Sequence, residues 1–136
     1  MPAYHIGIVA VATSVDSKWV DNLLARFALP GVERAGQGVA RRISPQGLRH
    51  IMLVRWLTQD LALPLSRSVD LAIRSLASES GVIAIGPGLE LRIDIPRLSA
   101  DAETLLADAV ESHVPRRRGR PPKLRQPPGS DATSGA

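Results

Sequence analysis

The 136-residue sequence has no cysteine, which excludes disulfides and thiolate metal sites. Its three histidines, His5, His50 and His113, show no metal-ligand spacing, so neither a structural metal nor a cofactor is expected. Long apolar runs are missing too. The longest, Ile6 to Ala12, is too short to span a bilayer and lacks the basic leader and cleavage pattern of a signal peptide, which predicts a cytoplasmic chain with no membrane partner. Lysine is scarce: only Lys18 and Lys123 against 15 arginines, a bias that GC-rich bacterial coding produces. Also absent are a nucleophile beside a base, a carboxylate pair set for a cleft, and a phosphate loop, since Gly36-Gln37-Gly38 lacks the lysine and the following helix. The sequence is therefore not expected to be an enzyme.

What is present is arginine, unevenly placed. Residues 114–136 hold six Lys/Arg against one acid, a net of +5, leaving −1 for residues 1–113. Within that body, residues 1–60 carry seven basic and four acidic groups (+3), and residues 61–113 carry four and eight (−4). A cationic front, an acidic back and a basic tail suggest a DNA-facing part and a part facing something else. The length allows one compact core of roughly 100 residues plus a tail.

Local patterns predict a mainly α chain with small β elements. Ile6 to Ala12 suits either a strand or a short helix. Asp16 caps a helix from about Ser17 to Phe27, with Val20, Leu23, Leu24 and Phe27 on one face, and Pro30-Gly31 stops it. The glycines and flanking valines of residues 31–44 fit a hairpin or wing. Ser44-Pro45 starts a helix to about Leu61, and Pro64 starts another that ends near Gly81. Val82 to Ile85, Gly86-Pro87-Gly88 and Leu89 to Ile95 read as a half-buried hairpin. A last helix, capped by Ser99 and carrying Leu105, Leu106, Ala109 and Val110, is positioned to cover its apolar face. Trp19 and Trp56 read as core or half-core anchors, and Asp101, Glu103, Asp108 and Glu111 as a solvated helix face. Disorder is expected from Pro115 onward.

The tail contains Pro115-Arg116-Arg117-Arg118-Gly119-Arg120-Pro121-Pro122-Lys123. Gly119 permits close backbone approach and Pro121 keeps the strand extended, a shape for a narrow groove. The A·T minor groove is narrow and strongly negative, so Arg118 and Arg120 gain by lying along it, while Arg116, Arg117, Lys123 and Arg125 contact phosphates on either side. This segment resembles the AT-hook family over about nine residues.

Residues 4–77, with IGIVAVATSVDSKWVDNLLARF, GVARRIS and LRHIMLVRWLTQDLALPLSRSVDLA, resemble the mercury-resistance-regulator (MerR) type of winged helix-turn-helix. The resemblance implies a short helix, a turn, a recognition helix and a wing closed by Arg41-Arg42. Ser17, Lys18, Trp19, Asn22 and Arg26 would then face the major groove, with Arg34, Arg41 and Arg42 on the wing gripping backbone. Ser14 stands where the family has a turn glycine. Its long dimerising helix and cysteine ligands are missing after Gly81, so no small-molecule effector is expected.

The expected organisation is a winged domain over residues 1–80, a hairpin-plus-helix unit over 81–113 serving oligomerisation, and the hook-bearing tail over 114–136. The expected function is that of a transcriptional regulator or chromosome-associated protein. It would act on A·T-rich double-stranded DNA, as a nucleoid-associated homo-oligomer. An antitoxin-like or adaptor module with secondary DNA contact is the alternative, and an architectural binder without sequence preference is a third.

Overall fold

The computed structural model describes residues 3–33 and 41–112. These build five helices and two antiparallel hairpins: α1 (Ile6–Thr13), α2 (Ser17–Arg26), β1 (Val32–Glu33), β2 (Arg42–Ile43), α3 (Pro45–Gln59), α4 (Leu65–Ala77), β3 (Val82–Gly86), β4 (Leu89–Arg92) and α5 (Ile95–Ser112). The mainly helical expectation with small β elements is met. The expected tail lies outside the described residues.

The ambiguous run beginning at Ile6 is a helix. Its apolar residues point in most directions because α1 packs against α2, α3 and α5, burying Val9, Ala10, Ala12 and Thr13. A helix buried on several sides loses the one-sided periodicity that would distinguish it from a strand. Thr13 hides its hydroxyl by donating to the Val9 carbonyl at 2.8 Å. At Ser14 the chain turns through φ 57°, the left-handed conformation that a glycine would take without strain, and Asp16 caps α2 by accepting from the Lys18 amide at 3.0 Å. Helix α2 ends at Arg26, one residue from the expected end at about Phe27, which is already extended.

Helix α3 runs through the centre of the molecule. Leu48, Ile51, Leu53 and Val54 are almost completely enclosed, and each such side chain contributes about 1.5–3 kcal/mol relative to exposure. Its start is fastened to the first hairpin through Ser44, Gly31 and Gly47. Ser44 accepts from the Gly47 amide at 3.2 Å and donates to the Gly31 carbonyl at 2.9 Å. Gly31, at φ 86°, lies so close that a Cβ there would sit 2.2 Å from the Gly47 nitrogen.

Four expectations in the second half are corrected. The alternating run after Gly88 leaves the ladder at Arg92, and Ile95 already belongs to α5. The cap of α5 is Asp94, whose carboxylate accepts from the Arg97 amide at 3.0 Å, and not Ser99, which lies inside the helix. Pro96 in the first turn, where a missing N–H costs nothing, completes that start signal. Helix α5 also does not cover the hairpin. It buries Leu98, Ala102, Leu106 and Ala109 while packing on α1 and α3. The β3–β4 hairpin rests against α4, where the Arg74 guanidinium donates to the Ala84 carbonyl at 3.2 Å, and Leu89 at its turn stays 60 % exposed. Helix α4 stops at Ala77, four residues short of Gly81, because Ser78 is extended. One hydrophobic cluster, from Val9 to Ala109, joins all five helices.

Candidate nucleic-acid interface

Helix α2 is amphipathic by spacing, and the core takes its apolar side. Val20, Leu23 and Leu24 are buried, which turns Ser17, Lys18, Asn22 and Arg26 outward into solvent. Trp19 is half-buried and packs on the core, the anchoring role its size favours over a solvent-facing one. The other indole, Trp56, is less enclosed than expected of a core anchor, at 39 % exposure on the rim of a cavity of about 170 Å³ shared with Met52, Arg55 and Leu105.

The expected hairpin of residues 31–44 is present at its base. Val32 pairs with Ile43 and Glu33 with Arg42. Arg34 falls in residues 34–40, outside those described. Tyr4 extends this base on the other side of β2, donating its amide to the Ile43 carbonyl at 2.8 Å and accepting from the Ile43 amide at 2.9 Å.

Two cations of the expected set are partly engaged. The Arg41 guanidinium donates to the Asp21 carboxylate at 2.6 Å, tying the start of β2 to the exposed side of α2. The Arg26 guanidinium lies 5.2 Å from the centre of the Phe27 ring, a cation–π contact that steadies it without neutralising its charge. Among the described residues Lys18, Arg26 and Arg42 form no ion pair. The outer surface of α2 and the hairpin base thus offer three such cations with the Asn22 amide group among them. Arg116, Arg117, Arg118, Gly119, Arg120, Pro121 and Lys123 of the hook lie outside the described residues.

Asp21 and Gly47 organise this surface and were not singled out by sequence reasoning. Gly47 had a legible signal, a glycine in the first turn of a helix where it lowers propensity. Asp21 had none, because its partner is 20 positions away.

Elsewhere the titratable groups serve the fold. His50 is 3 % exposed on α3, and its Nδ1–H donates to the Gln46 carbonyl at 2.9 Å. Burial pushes its pKa below the ordinary histidine value and the Arg49 charge adds to that, against the opposing effect of the hydrogen bond, so the ring is held neutral. Among the described residues no group of three or more His, Asp or Glu stands together as a metal set, and no helix is long and apolar enough to cross a membrane.

A groove of about 730 Å³ opens between the C-terminal half of α5 and the start of α3. It is lined by Glu103, Leu106, Val110 and Glu111 on one side and by Tyr4, Pro45 and Arg49 on the other. Comparison with known proteins finds no matching family model, curated protein or solved structure.

Proposed function

We propose that this protein binds double-stranded DNA, as a transcriptional regulator or a nucleoid-associated protein. In this reading α1, the turn at Ser14 and α2 form a helix-turn-helix, the β1–β2 hairpin is its wing, and the hook at Pro115 to Lys123 takes an A·T-rich minor groove. The observation that carries the reading is the solvent-facing row Ser17, Lys18, Asn22 and Arg26 on α2, joined through Asp21 and Arg41 to a basic hairpin.

Chemistry supports a division of labour. Asn22 can donate to and accept from an adenine edge, and Lys18 and Arg26 can reach guanine or phosphate. Arg42, and Arg41 when released from Asp21, would hold the backbone. The hook adds affinity through effective concentration, since it is tethered to the domain that reads the major groove.

The test is a titration of the full chain and of a chain ending at Ser112, on A·T-rich and G·C-rich duplexes at two salt concentrations. The shorter chain keeps the whole hydrophobic cluster, which ends at Ala109. Truncation should abolish the A·T preference and leave weaker, sequence-selective binding. If neither chain binds either duplex, the reading is wrong.

A further inference from the structure

The two edges of the β3–β4 hairpin are finished differently. Val82, Ile83 and Ala84 of β3 stand opposite Arg92, Leu91 and Glu90 of β4, and just past β4 the Ile93 amide donates to the Gly81 carbonyl at 2.8 Å. Backbone groups along an antiparallel strand alternate in direction. Those of Leu91 therefore face β3, as those of Ile93 do, and those of Glu90 and Arg92 face away from it. On the far edge the outward residues are Val82 and Ala84, and that edge is closed by side chains. The Ala84 carbonyl accepts from Arg74 at 3.2 Å, the Val82 carbonyl accepts from the Ser78 hydroxyl at 3.2 Å, and the Val82 amide donates to the Ser80 hydroxyl at 3.4 Å. No such cap lies on β4: among the described residues, nothing outside the hairpin bonds to the backbone of Glu90 or Arg92. An open strand edge is a template for another strand.

The side chains on this edge say which strand fits. Glu90 and Arg92 are exposed on one face and, among the described residues, form no ion pair. Leu89, Leu91 and Ile93 alternate with them on the other face, where Leu91 and Ile93 pack toward the core and Leu89 is left 60 % exposed. A second β4 laid antiparallel with Leu91 opposite the partner's Leu91 sets Glu90 against the partner's Arg92 and Arg92 against the partner's Glu90. Directly opposite residues have Cβ atoms about 4.5–5.5 Å apart, close enough for both pairs to attract. The outward backbone groups of Glu90 and Arg92 then bond to each other across the axis, and the exposed Leu89 meets the partner's Ile93. Moving the register by one pleat in either direction places Glu90 opposite the partner's Glu90, or Arg92 opposite the partner's Arg92, and like charges facing across strands are destabilising. The strand is thus complementary to itself in one register.

We propose that the open edge of β4 is a homodimer interface, in which two hairpins join about a two-fold axis at Leu91 into one four-stranded antiparallel sheet. Helix α5 takes no part, since its apolar side is spent on α1 and α3. The proposal is independent of DNA binding.

The test is charge exchange in the full chain. Sedimentation equilibrium from about 1 μM to 1 mM, the range in which a small interface dissociates, should take the parent from one copy to two. Arg92→Glu and Glu90→Arg each replace two attractions by two repulsions, so each alone should weaken self-association by about ten-fold or more. An equimolar mixture of the two restores opposite charges at both places and should dimerise as the parent does. So should the chain carrying both exchanges, which also shows that the substituted hairpin folds. In the parent, the Glu90 and Arg92 amides should exchange with solvent more slowly as concentration rises, while the Leu91 amide is protected throughout. A parent that stays single at the highest concentration overturns the proposal. Dimers indifferent to either single exchange, which would place the contact on another surface, overturn it as well, and so does a mixture that fails to pair.

Discussion

Replacing Asp21 by asparagine keeps the side chain's shape and removes the charge that holds Arg41. The two groups meet at 2.6 Å with side-chain exposures of 28 % for Arg41 and 55 % for Asp21. At that separation the attraction is about 1.6 kcal/mol in a fully aqueous medium. Ordering two exposed side chains and screening by salt bring the net contribution of such a pair to at most about 1 kcal/mol. Thermal stability should thus fall by no more than about 4–8 °C. Binding should move the other way. A released Arg41 adds one phosphate contact and the surface loses one negative charge, so the log–log salt slope steepens by about 0.9. Between about 50 and 200 mM salt the Asp21→Asn chain should lose about 3.5-fold more affinity than the parent, starting from tighter binding at the low end. Fluorescence anisotropy of a labelled duplex across that salt range, beside a thermal melt, measures both quantities. An unchanged slope, or weaker binding at low salt, refutes the placement of Arg41 on a DNA-facing surface.

Two further predictions concern the frame beneath that surface. Gly31→Ala puts a Cβ at φ 86° against the Gly47 nitrogen and the Ser44 hydroxyl, and strain plus overpacking should cost about 2–4 kcal/mol. A urea midpoint that falls by less than the equivalent of about 1 kcal/mol would mean that the joint is looser than its geometry implies. His50 has a lowered pKa in the folded chain, so below the ordinary value of about 6.5 the unfolded chain takes up the proton first. Its contribution is full above that pH and is lost as pH falls toward the folded value. Urea unfolding at pH 7.5 and 5.5 should show a smaller acid loss for His50→Gln than for the parent, and equal losses would refute it.

Much of the architecture was legible wherever the determinant was local. Ser44-Pro45 marked the start of α3, Asp16 the start of α2, and Gly-Pro-Gly at residues 86–88 the second turn, because caps and turns are made by neighbours in the chain. The outward side of α2 was legible for the same reason, since a period of 3.6 residues sorts Val20, Leu23 and Leu24 from Ser17, Lys18, Asn22 and Arg26. The start of α5 was misplaced although its signal was local: Asp94 fell inside an alternating pattern that runs on for three residues after the strand ends, which hid the start signal it makes with Pro96 just beyond.

The sequence by itself determined the helical segments, the turns between them and the basic, proline-containing tail with its hook-like centre. Only the tertiary structure decided what covers what. The identity of the run at Ile6, the partner of α5, the pairing of Arg41 with Asp21 and the groove that the end of α5 forms with Tyr4 and Pro45 each depend on residues far apart in the chain. No local pattern encodes these, because they are settled by which apolar faces bury each other best once the helices have formed.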